Sequence, residues 1–140
     1  MIEDQYRIMV VDDEPAIAEG IAYTLSALTG HPSMPFSNAL HALDAFTARP
    51  CSLVLTDLTM PGLNGFDLLT KIKAIHPVTD CIVITAHKSK DVVYTSHLLG
   101  AENIFYKPLN IEELEMAVKE CHRKFLTWQG RFREVSFINS

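Results

Sequence analysis

The sequence of 140 residues contains no apolar run near the roughly 20 residues that a membrane-spanning helix requires. It carries no excess of positive charge either. The formal net charge is −5, which argues against a nucleic-acid surface on this segment. Cysteine is sparse: Cys51, Cys81 and Cys121 stand far apart without CxxC spacing. Such a scattered, odd set implies reduced cytosolic thiols rather than a disulfide or zinc framework. The six histidines form no HxxxH pair, and most read as surface or helix-end residues. The N-terminal "MIEDQYR" has no basic segment leading into an apolar stretch, so no secretory signal is expected and a cytoplasmic location is. No GxGxxG follows the first apolar run, which excludes the dinucleotide-binding fingerprint. Internal repeats and low-complexity tracts are absent as well.

What is present suits one compact domain with a real core, since 48% of residues are hydrophobic and only 21% charged. Strand-length apolar runs recur at "YRIMVV" (6–11), "SLVLTD" (52–57), "CIVITA" (81–86) and "NIFY" (103–106). The prolines of "PSMPF" (32–36) confine a further strand to a short or edge position. The runs are continuous rather than alternating, as expected when helices cover both sheet faces.

Helical segments fall between these runs. Pro15 opens the first behind an acidic cap, Ile17, Ile21, Leu25 and Leu28 make its apolar stripe, and Gly30 stops it. Asn38 caps a second helix with Ala39, Leu43 and Phe46 inward. Asn64 caps a third with Leu68, Leu69, Ile72 and Ile75 inward and Pro77 beyond its end. A fourth, near 89–99, has poorer periodicity, and a fifth starts near Ile111. Five βα repeats predict an open, doubly wound parallel sheet with its site at the carboxyl ends of the strands.

Asp12, Asp13, Asp57, Thr85 and Lys107 all fall at those ends. A lone Asp there is usually a helix cap, and a Lys-Pro pair is usually a turn. Converging carboxylates are costly unless a divalent cation sits among them, and oxygen ligands suit Mg²⁺ or Mn²⁺. A metal, a carboxylate, a lysine and a hydroxyl make up a phosphoryl-transfer set, with Asp57 the best candidate for covalent acceptor.

Together "VVDDEP", "LVLTDLTMPGLNG", "VITA" and "YKPLNIEEL" resemble the receiver domain of two-component response regulators, over about residues 5–126. The resemblance implies a flavodoxin-like sheet of order 2-1-3-4-5 with five helices. It implies that Asp57 takes a phosphoryl group from a phosphohistidine on a sensor histidine kinase. Asp13, Asp57 and the Thr59 backbone carbonyl would hold Mg²⁺, with Asp12 acting through coordinated water. Lys107 would pair with Asp57 and then with the phosphoryl oxygens, while Thr85 would shift to bond the phosphoryl group. Such a domain is a switch with at most intrinsic Mg²⁺-dependent autophosphorylation and autodephosphorylation. Receivers of this type often carry an aromatic residue three positions before the lysine. Ile104 stands there instead, so signalling through the β4–α4 loop and the fourth helix alone is expected. His87 and Thr59 would flank the path of an attacking water. A haloacid-dehalogenase-type phosphatase uses similar groups, but "DLTMPG" lacks its second Asp.

Ile111, Leu114, Val118, Cys121, Phe125, Trp128, Phe132 and Val135 alternate at three- and four-residue steps, an unbroken heptad seam. A helix closing the domain should finish near Lys124. The seam beyond it implies either a tail folded back on the domain or a signalling helix. The expected division is therefore a receiver over 1–126 and a helical extension over 127–140. That extension would pair with a second copy through 111–135 or lead toward an output module.

Overall fold

The computed structural model describes residues 5–138, with side chains through Val135. Its elements are β1 (Ile8–Val11), α1 (Pro15–Thr29), β2 (Ser33–Phe36), α2 (Ala39–Ala48), β3 (Leu53–Asp57), α3 (Gly65–Ile75), β4 (Asp80–Thr85), α4 (Lys90–Leu98), β5 (Asn103–Tyr106) and α5 (Ile111–Ile138). All five strands are parallel in the order β2-β1-β3-β4-β5. Every residue of β1, β3 and β4 is buried, which is why their apolar runs do not alternate. β2 is an edge strand of four residues whose Met34 is exposed, the place where Pro35 is tolerated.

Two cores lie on either side of the sheet. One packs Met9, Val11, Val54 and Val83 against Phe46, Leu68, Leu69 and Ile72 of α2 and α3. The other packs Ile8, Val10, Leu55 and Ile82 against Leu25 of α1 and Leu114 and Val118 of α5. Each such fully buried aliphatic side chain contributes roughly 1.5–3 kcal/mol relative to exposure.

Caps follow the sequence closely. Asn38 Oδ1 accepts from the N–H groups of Leu40 and His41, and Asn64 Oδ1 accepts from Asp67 N–H. Gly30 ends α1 with φ 75°, a conformation that favours glycine. Three expectations need correction. Glu14 stands at the N-cap of α1 but its side chain caps nothing, and Asp12 Oδ1 accepts the Glu14 N–H instead. Leu28 and Ile75 lie at the last turns of their helices, beyond the sheet they would cover, and both are exposed.

α5 does not stop near Lys124, nor does it fold back. It continues as one helix, with Trp128, Phe132 and Val135 all more than half exposed. Buried or half-buried positions run Leu114, Val118, Cys121, Phe125 and then Gln129. A 3.5-residue seam drifts about 20° per heptad around a straight helix. Hence the apolar stripe turns off the domain after Phe125, and Gln129 takes the inward position. Lys124 ties the helix to the sheet, its Nζ 3.0 Å from Asp80 and 2.9 Å from Glu102.

Candidate functional site

Three strands deliver carboxylate and ammonium groups to one point. Asp12 follows β1, its N–H bonded to the Phe36 carbonyl at 3.0 Å, and only 2% of it is exposed. Asp13 next to it is exposed. Asp57 ends β3 and is buried, with Oδ1 accepting the Leu58 N–H at 2.7 Å and the Thr59 N–H at 3.4 Å. Lys107 follows β5, and its own N–H donates to the Thr85 carbonyl at 2.9 Å. The Lys107 ammonium donates to Asp12 Oδ2 at 2.8 Å and to Asp57 Oδ2 at 3.1 Å. The pairing expected with Asp57 is present, and Asp12 is added to it.

Burial alone would depress the Lys107 pKa, but hydrogen bonds to Asp12 and Asp57 and their charge outweigh it, and the net direction is upward. The lysine is therefore a fixed cation across the physiological range. One carboxylate oxygen from each of Asp12, Asp13 and Asp57 lies within 4.8 Å of the others. Three carboxylates against one ammonium leave a net negative, all-oxygen cluster. Asp13 opens it to solvent. That donor set fits a hard divalent cation that keeps part of its water.

Gly65 is not among the residues expected from the sequence, yet it shapes the site. It is buried at the start of α3, and its N–H bonds the Leu58 carbonyl at 3.1 Å. A Cβ here would collide with the Asp57 carbonyl oxygen and sit 2.8 Å from Leu58 Cα. The helix start can approach the strand end only without a side chain. The legible signal is a glycine directly after the Asn64 cap.

Thr85 ends β4, fully buried, and its Oγ1 accepts the His87 N–H at 2.9 Å, while His87 itself is exposed. Ile104 is half-buried against the α2–α3 core, in register with Val83. Phe105 packs on the opposite core with α1 and α5, the alternation expected of a strand. Tyr106 pairs in register with Thr85 and lines a groove of about 600 Å³ with Lys88, Val93, Tyr94 and His97. Lys88 Nζ stands 5.1 Å from the Tyr106 ring centre, within cation–π range. No described helix is long and apolar enough to cross a membrane.

Residues 8–119 match the family model described as the response regulator receiver domain. The chain is 34% identical over 117 residues to Sporulation initiation phosphotransferase F of Bacillus subtilis, covering 81% of this chain and 91% of that protein. It is 32% identical to the Transcriptional regulatory protein MalR of Bacillus subtilis, covering 84% of this chain but only 51% of that one. Among solved structures, a CheY-like response regulator receiver domain protein from Methanospirillum hungatei superposes with a TM-score of 0.82 at 26% identity. The match covers 89% of this chain and 98% of that one.

Proposed function

This chain belongs to the response regulator receiver domain family, and from that membership we propose that it is a switch in which Asp57 accepts a phosphoryl group from a phosphohistidine of a sensor histidine kinase. The observation that carries this reading is one ammonium, Lys107 Nζ, held at 2.8 Å and 3.1 Å between Asp12 and Asp57 with Asp13 alongside. A carboxylate oxygen of Asp57 forms the bond to phosphorus as the phosphorus–nitrogen bond breaks and the imidazole leaves. The Leu58 and Thr59 N–H groups and Lys107 hold that carboxylate in its orientation. Asp13, Asp57 and the Thr59 carbonyl would hold Mg²⁺ or Mn²⁺, with Asp12 reached through water. The ion would neutralise charge on the transferring oxygens.

Lys107 then turns to the phosphoryl oxygens, and the Thr85 hydroxyl moves to donate to them, drawing the loop after β4 with it. Ile104 has no ring to swing, so the response travels through that loop and α4. His87 and Thr59 flank the approach to Asp57 and tune the lifetime of the acyl phosphate. The division is a receiver over 1–126 and an extension over 127–140, whose last two residues lie outside the described ones. The exposed Trp128, Phe132 and Val135 pair with a second copy or lead toward an output module, as half of the MalR relative lies outside its match to this chain. The phosphotransferase name of the Bacillus relative supports the transfer chemistry.

The test is incubation with Mg²⁺ and acetyl phosphate followed by intact mass measurement. A gain of one phosphoryl group that disappears in Asp57→Asn is expected. A gain retained in that variant overturns Asp57 as acceptor.

A further inference from the structure

Four rings from three distant segments meet at the end of the molecule opposite the carboxylates. Tyr6 precedes β1, His31 follows α1, and His122 and Phe125 lie on α5. The Tyr6 ring centre is 4.9 Å from His31, 4.8 Å from His122 and 5.2 Å from Phe125. The two imidazoles are 4.3 Å apart, edge to face. A tetrahedral ion shared by two imidazoles would hold their centres roughly 5 Å apart, given metal–nitrogen bonds near 2 Å. The closer edge-to-face contact is direct ring packing rather than shared coordination of an ion.

Among the described residues, no carboxylate forms an ion pair with either histidine. On α5, Lys119 pairs with Glu115, Arg123 with Glu120, and Lys124 with Asp80 and Glu102. Arg7, next to Tyr6, donates to the Pro50 carbonyl at 2.6 Å. Burial, and after it the charges of Cys121, Asp80, Cys51 and Glu102, push the Tyr6 pKa well above the usual phenol range. The Tyr6 hydroxyl is itself buried without a hydrogen-bond partner. Around the α1 end, Thr29 and Ser33 are neutral. Burial, and then His122, pull the His31 pKa below its ordinary value.

We propose that this ring cluster is a proton-sensitive latch on α5: with His31 neutral it clamps the helix to the start of β1 and the end of α1, and protonation of His31 loosens the helix from about Cys121 onward. Phe125 is the last ring of α5 packed on the domain, and Gln129 is the next buried residue after it among those described. A base held below its ordinary pKa favours the folded contact in neutral form. The latch is therefore complete above about pH 6.5 and weakens as pH falls below it. Its consequence for signalling rests on the reading of α5 as the route to a second copy or an output module.

The test uses the whole unphosphorylated chain, so it does not depend on Asp57 chemistry. Histidine ring NMR and amide exchange would be followed from about pH 8 to 5. His31 should titrate below the ordinary range and move back up in His122→Gln. Exchange at residues 121–128, corrected for its intrinsic pH dependence, should quicken up to roughly tenfold for each pH unit of that displacement. In His31→Gln the quickening should largely vanish. His31 titrating at its ordinary value, unmoved by His122→Gln, would overturn the latch, as would exchange that quickens as much in His31→Gln as in the native chain. The ring titration of the native chain decides alone if a variant fails to fold.

Discussion

Lys107 holds two carboxylates that lie 95 and 50 residues away in the chain, and this makes its replacement informative. Lys107→Ala removes the cation that would stabilise the transferring oxygens. Phosphorylation by acetyl phosphate should slow by about 10²-fold, measured by intact mass against time. The native lysine has its pKa raised in the folded state. Its stabilising contribution is therefore complete below the unfolded value of about 10.5 and lost only as pH rises through the folded value. Denaturant melts from pH 7 to 9 should accordingly show no loss attributable to Lys107.

Gly65 and Gly20 make a matched pair of tests at the same scale. Gly65→Ala drives a methyl group into backbone at Asp57 and Leu58 and should cost about 1–3 kcal/mol in denaturant melts, with slower phosphorylation. Gly20→Ala, in α1 with open space around it, should instead stabilise by about 0.4–1 kcal/mol. The site carboxylates were legible because paired acids at a strand end have few structural uses. Gly65 was not, because the reason for it is a backbone approach between a helix start and a strand end.

Element boundaries follow local chemistry, but the use of a helix face does not. Leu114 and Trp128 belong to one seam in the sequence, two heptads apart, yet one is wholly buried and the other 61% exposed. Leu114→Ala should cost about 2–5 kcal/mol in chemical denaturation. Trp128→Ala should change stability by no more than about 0.5 kcal/mol, since it touches no core. The same contrast explains the histidines. Reading them one at a time placed most at surfaces or helix ends, which suits His87 and His97. It could not show that the end of α1 and the middle of α5 bring His31 and His122 together.

For the whole molecule, the exposed end of α5 sets the expected assembly. Sedimentation of the full chain, phosphorylated and not, should show self-association that a chain ending at Lys124 lacks. Equal monomeric masses would remove the second copy from the proposal. The three thiols are buried, and burial pushes Cys51 up to about 11 and Cys81 and Cys121 up to about 12, which keeps them protonated at neutral pH.

By itself the sequence determined the βα order, the sandwiched parallel sheet, the caps at Asn38 and Asn64, and the placement of Asp12, Asp13, Asp57, Thr85 and Lys107 at strand ends. Those features rest on apolar period, capping chemistry and the rule that such sheets work at their strand ends, all readable within a few neighbouring residues. Only the tertiary structure decided that Lys107 binds Asp12 as well as Asp57, that Gly65 admits no side chain, that four rings close around Tyr6, and that the α5 seam leaves the domain after Phe125. Each depends on how far a helix has turned, or how closely two backbones approach, where distant segments meet.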